Sequence, residues 1–282
     1  MKLHHIPERV INKLAGVFGC AFVRDKDAIA SKKGYHFVPD IYGYSSRKQL
    51  DIREDALFSK YADAARENNR TMLYYDRLFF LYQALENRRH HITPDQIVHI
   101  AEAGAFKGGG SFFIASLAQE WFGKDRIQMF CIDTFEGHDE RDIANGKVTG
   151  GDGTHRAGSK FRKTSYESVR DYLSGFPFLR VLKNRIQDCA DEAMASLQFD
   201  LVHLDMDIYQ PTRFALDFFG TRMKPGAVIL VDDYGFTSCP GAKRAVDEYL
   251  EKNPGYFVKF EPMTGQCILI NVSSPHRGEL TG

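Results

Sequence analysis

Residues 256–271 read YFVKFEPMTGQCILIN and hold two β-rich runs, YFVKFEPM and QCILIN. Only Thr264 and Gly265 separate these runs. A connection this short joins antiparallel neighbours, because a parallel crossover needs a dozen or more residues. The stretch therefore predicts a β-hairpin at the end of a sheet.

Upstream of the hairpin, short apolar runs alternate with helical patterns. Five runs predict strands, namely IVHIAEAG (97–104), IQMFCID (127–133), FLRVLKN (178–184), LVHLDMD (201–207) and AVILVDDY (227–234). The intervening and following segments predict helices at 108–123, 165–176, 189–197, 211–222 and 241–253. This alternation predicts an α/β fold with a doubly wound, mostly parallel sheet in the order 3-2-1-4-5. With the hairpin, the Rossmann-like sheet has seven strands.

The chain divides into three predicted regions. Residues 1–70 predict an N-terminal helical or irregular extension that supplies substrate-pocket or oligomer contacts, and its aromatic residues suggest a homo-oligomer. Residues 71–272 hold the strand–helix alternation and are expected to form the catalytic domain. Residues 273–282 predict a flexible tail.

The composition argues against several classes of protein. Lysine plus arginine and aspartate plus glutamate each number 37, so no bulk charge favours nucleic acid or an anionic membrane as a partner. Five cysteines without a CxxC spacing argue against a disulfide framework and a structural zinc site. With no apolar stretch of membrane-spanning length and no signal-peptide core, the sequence predicts a cytoplasmic protein.

Two acidic pairs follow predicted strands four and five at their carboxyl ends. They are Asp205 with Asp207, and Asp232 with Asp233. Neighbouring strands lie roughly 4.8 Å apart, so these carboxylates should converge at the edge where open α/β sheets bind ligands. Asp205, Asp232 and Asp233 with water would fit Mg²⁺ or another divalent cation. Asp207 ranks second, and helix capping or pairing with Lys or Arg is the alternative.

A glycine-rich turn, EAGAFKGGGS (102–111), follows predicted strand one. Gly104 would let the chain turn sharply, and Gly108 and Gly109 would let backbone approach a ligand, with Ser111 closing the segment. The Glu102 carboxylate suits a cationic amino-acid moiety and would repel a pyrophosphate. S-adenosylmethionine (SAM) carries an ammonium and a sulfonium, so the turn favours SAM, with a plain tight turn as the alternative.

Two further aspartates are candidate cofactor contacts. Asp133 ends strand two, where an acidic residue accepts hydrogen bonds from ribose hydroxyls. Asp188 follows strand three, where a loop residue can reach an adenine. Each has a structural alternative, a turn or helix cap for Asp133 and a helix N-cap for Asp188.

Four blocks of the sequence resemble the macrocin O-methyltransferase (TylF-like) family of metal-dependent class I SAM methyltransferases, which act on sugar hydroxyls. EAGAFKGGGS resembles its E-T-G-V-W-R-G-G turn, and CIDTFEGH resembles its D-S-F-E-G segment. LDMDIYQPT resembles L-D-G-D-L-Y-x-S-T, and VDDYGFTSCPGAKRAVDEY resembles the D-D-Y block with its following helix. The likeness covers roughly residues 71–270.

The resemblance implies a role for each matching residue. Asp205, Asp232 and Asp233 would hold the metal, with Asp205 also the catalytic base. The same match implies that Glu102, Gly104 and Asp133 hold SAM. Met206 replaces a glycine of the family pattern, and Gln210–Pro211 replaces its usual pair, so the acceptor stays open.

Together these features predict a SAM-dependent, divalent-metal-assisted O-methyltransferase acting on a hydroxyl of a sugar or glycosylated small molecule. A catechol-type O-methyltransferase, a metal-dependent hydrolase and a non-catalytic binding module are the alternatives. The glycine-rich stretch after Asp133 is expected to form a lid that carries His138 and His155, each a base, a substrate contact or a solvated loop residue. His203, inside strand four, is interpreted as a hydrogen-bonded core histidine.

Overall fold

The predicted strands form one seven-stranded sheet. In this computed structural model, which describes residues 52–143, 161–262 and 264–272, the strands are β1 Val98–Ala103, β2 Ile127–Asp133, β3 Leu179–Lys183, β4 Phe199–Leu204, β5 Met223–Val231, β6 Tyr256–Phe260 and β7 Cys267–Asn271. The α-helices are α1 Ala56–Arg66, α2 Tyr75–Arg89, α3 Gly109–Phe122, α4 Tyr166–Tyr172, α5 Ile186–Met194, α6 Tyr209–Gly220 and α7 Pro240–Lys252.

The strand order is β3-β2-β1-β4-β5-β7-β6. Strands β1 to β5 are parallel, whereas β7 is antiparallel to both β5 and β6. The doubly wound order and the closing antiparallel pair are therefore confirmed. The carboxyl ends of β1, β2, β4 and β5 meet at one edge, and the strand order switches between β1 and β4.

The hairpin connection is longer than the predicted two-residue turn. Residues 261–266 lie between β6 and β7. The Glu261 N–H donates to the Gln266 carbonyl at 2.9 Å, and the Gly265 N–H donates to the Glu261 carbonyl at 2.8 Å. Gly265 has a φ of +80°, a conformation that glycine adopts without strain. This wider turn brings the Gln266 side chain to the end of β5.

Alternate residues of the central strands face two helix layers, because successive side chains of a strand point to opposite faces. One face packs against α1, α2 and α3 through strand residues that include Ile100, Leu201 and Leu230. The opposite face packs against α5, α6 and α7 through strand residues that include Val202 and Ile229. Each strand end can therefore direct a polar side chain toward either layer.

Helices α1 and α2 both contact α3. Asp55 caps α1 by accepting the Phe58 N–H at 2.9 Å, and its other oxygen accepts the Tyr82 hydroxyl at 2.8 Å, which ties α1 to α2. Residues 1–51 and 273–282 lie outside the described residues, so the predicted tail and the roles given to the extension (1–70) stay predictions, and only residues 52–70 of that extension are described.

Two helices begin earlier than their sequence patterns indicate. Helix α5 begins at Ile186 instead of Cys189, and α6 begins at Tyr209 instead of Pro211. Pro211 is tolerated because the first-turn N–H groups of a helix have no intrahelical partner. Among the helices described, none is long and apolar enough to cross a membrane.

Candidate active site

The turn after β1 is held tightly against the neighbouring strands. Gly104 has a φ of +93°, and a Cβ atom there would overlap the backbone carbonyl oxygen of Asp205. The Gly104 N–H donates to the Ile132 carbonyl at 2.9 Å, and the Asp205 N–H donates to the Ala103 carbonyl at 2.9 Å. Glycine is thus required here to let the ends of β1, β2 and β4 meet.

Gly108 and Gly109 pack against protein. A Cβ atom at Gly108 would lie 2.9 Å from Cγ1 of Val169, and the Gly109 N–H donates to the Arg70 carbonyl at 3.1 Å. The close approach that the sequence analysis assigned to a ligand is therefore made to neighbouring segments. The structure does not bring these two glycines to the pocket, whereas Gly110 lines it.

Glu102 is held by two side chains on the face that packs against α3. Its Oε2 accepts the Ser111 hydroxyl, and its Oε1 lies 2.9 Å from Nδ1 of His203. Glu102 is only 1% exposed and still lines the pocket. Ser111 lies behind Glu102, so its position suits orienting the carboxylate and not contacting a cofactor.

The predicted carboxylate cluster forms at the ends of β4 and β5. Carboxylate oxygens of Asp205, Asp232 and Asp233 all lie within 4.8 Å of one another. Asp207 has a φ of +62°, and its N–H donates to Oδ2 of Asp233 at 3.0 Å. Among the residues that the structure describes, Asp205 and Asp233 form no ion pair.

Burial and neighbouring carboxylates raise the pKa values of two members of this cluster, Asp205 and Asp233. The pKa of Asp205 is raised to about 7, mainly by burial and secondly by the Asp233 carboxylate. The pKa of Asp233 is raised to about 7, mainly by burial and secondly by the Asp207 carboxylate. Such a cluster costs free energy in the ionised form unless a cation or a proton compensates it.

Asp232 differs from its two neighbours because it already has partners. The Arg77 guanidinium contacts its carboxylate, with Nε 3.2 Å from Oδ1. Gln266 Nε2 donates to the same oxygen at 2.7 Å. His203 Nε2 lies 3.7 Å from it. Asp232 is fully buried, on the face that packs against α2.

One pocket joins the glycine-rich turn to this cluster along the carboxyl edge of the sheet. Its polar lining includes Thr71, Arg77, Glu102, Asp133, Thr134, His138, Asp142, Asn184, Gln187, Asp205, Asp207 and Asp233. Apolar side chains in the lining include Met72, Leu73, Phe106, Phe161, Met206 and Ile208. A ligand in this pocket would therefore reach both the turn and the carboxylates.

Asp133 lies in the pocket wall but is also a turn cap. Its two oxygens accept the N–H groups of Phe106 at 2.8 Å and Phe135 at 2.7 Å. Burial raises the pKa of Asp133, and these backbone donors oppose that rise. Phe106 and Phe135 have positive φ values of 51° and 55°, so Asp133 helps to hold two strained turns beside the pocket.

Asp188 points away from the pocket. It lies in the first turn of α5 and pairs with Arg185 at 3.2 Å and Arg141 at 3.3 Å. The residue that lines the pocket is its neighbour Gln187, whose Nε2 donates to Asp142 at 2.9 Å. The structure therefore brings Gln187, and not Asp188, to the pocket lining at this end.

His138 lies beside the carboxylate end of the pocket. Its Nε2 is 3.6 Å from Oδ2 of Asp207, and its ring meets the Phe161 ring edge-on, with centroids 5.7 Å apart. Cys239 contributes a thiol 3.5 Å from Oδ1 of Asp207. His155 and most of the predicted lid, residues 144–160, lie outside the described residues.

Sequence reasoning missed Arg77 and Gln266. Both contact Asp232, yet Arg77 lies in a helical pattern and Gln266 in a hairpin connection, far from the acidic motifs. The available signals were weak: a cation on an otherwise apolar face of α2, and a polar residue just before the run CILIN. His203 was correctly interpreted as buried, but the position of its second nitrogen beside Asp232 was missed.

A doubly wound sheet closed by an antiparallel pair, with a glycine turn and a pocket at its carboxyl edge, defines a class I methyltransferase. The family model of the macrocin-O-methyltransferases (TylF) matches residues 35–254, and the chain belongs to this family. The protein is accordingly a SAM-dependent O-methyltransferase.

Relatives in sequence agree with this assignment. 8-Demethyl-8-(2,3-dimethoxy-alpha-L-rhamnosyl)-tetracenomycin-C 4'-O-methyltransferase of Streptomyces olivaceus is 26% identical over 191 residues, which cover 64% of this chain and 67% of the relative. Demethyldecarbamoylnovobiocin O-methyltransferase of Streptomyces niveus is 25% identical over 190 residues, which cover 66% of this chain and 69% of the relative.

Solved structures share the fold. The O-methyltransferase NovP superposes with a TM-score of 0.61 at 21% identity, over 76% of this chain and 88% of NovP. The calicheamicin methyltransferase CalS11 superposes with a TM-score of 0.55 at 13% identity, over 84% of this chain and 98% of CalS11.

Proposed function

We propose that this O-methyltransferase methylates a hydroxyl of a sugar or glycosylated small molecule with the help of a divalent cation, Mg²⁺ in the first instance. The observation that carries the cation is the group of three carboxylate oxygens within 4.8 Å of one another, contributed by Asp205, Asp232 and Asp233. The same residues end two adjacent strands beside the pocket that begins at the glycine turn.

The donor set fits a hard cation. Mg²⁺ takes oxygen ligands, and is usually bound by few carboxylates while it retains several waters. Asp232 already has Arg77 as a positive partner, but Asp205 and Asp233 have raised pKa values that a cation would reverse. A divalent ion bound here would lower the pKa of an acceptor hydroxyl.

The pocket wall also fits SAM. Glu102 offers a buried carboxylate to the amino group of the methionine part, and Gly104 leaves room for backbone beside it. Asp133 and Gln187 line the wall farther along β2 and α5, where ribose and adenine need polar partners. The other predicted cofactor residues do not line the pocket and would support the residues that do; they are Gly108, Gly109, Ser111 and Asp188.

Methyl transfer in this site needs one proton acceptor. The acceptor oxygen forms a bond to the methyl carbon while the carbon–sulfur bond breaks and its electron pair stays on sulfur. The hydroxyl proton goes to Asp205, which lines the pocket and is the proposed base. Most of the rate enhancement would then come from holding the oxygen in line with the methyl group.

The acceptor class rests on the relatives and on the pocket. One relative is named for a rhamnosyl-bearing tetracenomycin. Near the cluster the pocket mixes polar side chains with Met206 and Phe161, which suits the hydroxyl edge and the apolar face of a sugar ring. Since two of these side chains are apolar, a catechol remains the rival acceptor. Family membership disfavours the hydrolase and the non-catalytic module.

A labelling experiment tests the proposal. The purified protein would be incubated with methyl-deuterated SAM and two sets of acceptors, rhamnosylated or otherwise glycosylated aromatic compounds and matched catechols, after EDTA treatment and with or without Mg²⁺. We expect label on a sugar hydroxyl only when Mg²⁺ is restored. Turnover that survives EDTA would show that no cation is needed. Label on catechols alone would show that the acceptor is a catechol and not a sugar hydroxyl.

A further inference from the structure

His203 lies between two buried carboxylates, Glu102 and Asp232. Its Nδ1 is 2.9 Å from Oε1 of Glu102, whose other oxygen accepts the Ser111 hydroxyl. Its Nε2 is 3.7 Å from Oδ1 of Asp232. His203 and Asp232 are both fully buried, and Glu102 is nearly so.

The sheet fixes this geometry. In the parallel register, His203 on β4 is paired with Glu102 on β1 and with Leu230 on β5. Its strand neighbour on the same face, Leu201, packs in the apolar core against α3. A polar ring in such a place needs hydrogen-bonding partners, because burying an unpaired polar group costs free energy.

One nitrogen of the ring has no such partner. Nδ1 faces a carboxylate that can only accept, so Nδ1 carries the hydrogen and donates to Glu102. Nε2 is buried without a hydrogen-bond partner among the described residues, and the oxygen nearest to it belongs to the proposed metal ligand Asp232. In this tautomer Nε2 can only accept, so it forms no hydrogen bond with the Asp232 carboxylate, and the hydrogen bond from Nδ1 to Glu102 fixes the ring.

We infer that His203 is a positioning residue for the cofactor end of the pocket. Its Nδ1–H holds the Glu102 carboxylate in the orientation that meets the amino group of SAM. The inference rests on the proposed function, because Glu102 is the residue proposed to meet that group.

Three substitutions test the contact between Nδ1 and Glu102. The amide nitrogen of asparagine occupies the place of Nδ1, so His203→Asn keeps a donor to Glu102. The amide nitrogen of glutamine reaches the place of Nε2, so His203→Gln leaves the place of Nδ1 without a donor. His203→Leu removes the donor at similar volume.

Binding of each ligand is measured separately in the full chain. SAM affinity is measured by calorimetry in EDTA, and Mn²⁺ affinity by electron paramagnetic resonance without SAM. We expect His203→Asn to keep the SAM Kd, and His203→Gln and His203→Leu to raise it about 10-fold to 100-fold, the effect of losing a hydrogen bond to a charged group. The Mn²⁺ Kd should stay unchanged in all three variants, because Nε2 forms no hydrogen bond with Asp232.

The possible outcomes are distinct. A SAM Kd that rises equally in the asparagine and glutamine variants, a SAM Kd that changes in neither, a Mn²⁺ Kd that rises together with the SAM Kd, or unfolding of both variants at the assay temperature would give His203 a structural role and overturn the inference. An unaltered protein that binds no SAM or no Mn²⁺ would instead contradict that part of the proposed function. If only Mn²⁺ fails to bind, the contrast in SAM affinity decides the inference.

Discussion

The two ends of the pocket treat buried negative charge in opposite ways. At the cofactor end, formed by the ends of β1 and β2, Glu102 and Asp133 have side-chain or backbone donors on both of their oxygens. At the carboxylate end, formed by the ends of β4 and β5, burial and neighbouring carboxylates raise the pKa values of Asp205 and Asp233 to about 7.

This difference separates stability from function. Carboxylates that are hydrogen-bonded within the protein hold the backbone in place, so changes at the cofactor end should cost folding or cofactor affinity. Carboxylates that repel one another without a cation weaken the fold and are retained for what they bind. Changes at Asp205 or Asp233, which form no ion pair among the described residues, should therefore cost turnover and spare stability.

The sharpest contrast is expected from Asp205→Asn. An amide cannot take up the proton that leaves the substrate hydroxyl. Because the variant therefore lacks the general base, kcat should fall by about 10²-fold to 10⁴-fold. SAM affinity should survive, and the melting temperature should hold or rise because one repelling charge is gone. Methyl transfer would be followed by mass spectrometry, with calorimetry for binding.

The matched control for that variant is Asp217→Asn, which changes an exposed aspartate that pairs with Arg213 on α6. It should leave turnover unchanged. Loss of folding in the Asp205 variant would break the contrast, because it would mean that the carboxylate end also carries stability.

Gly104→Ala should give the next largest effect, now on stability. Gly104 and Gly123 both have positive φ values, +93° and +76°, but a Cβ atom at Gly123 would meet nothing within 4 Å. Both alanines carry the backbone strain, and only the one at residue 104 also collides with the Asp205 carbonyl. The free energy of unfolding should fall by about 1–3 kcal/mol more for Gly104→Ala than for Gly123→Ala, as overpacking typically costs.

Urea unfolding of the two glycine variants measures that difference. Equal losses would mean that β1 and β4 separate easily at their carboxyl ends. The cofactor end would then be less rigid than its hydrogen bonds indicate.

Ser111→Ala should weaken cofactor binding modestly. The variant removes one donor from Glu102, so SAM affinity should drop by about 1 kcal/mol, roughly fivefold. Ser116→Ala changes a buried serine on the same helix that lies outside the pocket lining, so it should alter stability at most. A SAM Kd that moves equally in both variants would show that Ser111 acts only through the packing of α3.

Asp207→Asn should have the smallest effect. Asparagine tolerates the positive φ of this position and keeps the N–H that donates to Asp233. Only one charge is lost, so kcat should change by about twofold, equivalent to ~0.5 kcal/mol. A loss as large as that of Asp205→Asn, measured in the same assay, would place Asp207 among the residues essential for turnover.

Several parts of the site followed from local patterns. The ends of β4 and β5 could be located because each apolar run stops at an aspartate, and parallel strands bring their carboxyl ends to one edge. The glycine turn was located for the same reason, but the sequence did not show which of its glycines line the pocket. Gly104 and Gly110 line the pocket while Gly108 and Gly109 face α4 and Arg70, and only the packing of neighbouring segments distinguishes them.

The sequence by itself determined the strand–helix alternation, the closing antiparallel pair and the convergence of Asp205, Asp232 and Asp233. These depend on periodicity and on the geometry of parallel strands, both of which are readable over short stretches. Only the tertiary structure decided which groups surround them. Arg77 reaches Asp232 across 155 positions of sequence and Gln266 reaches it across 34, and no local pattern encodes such pairs.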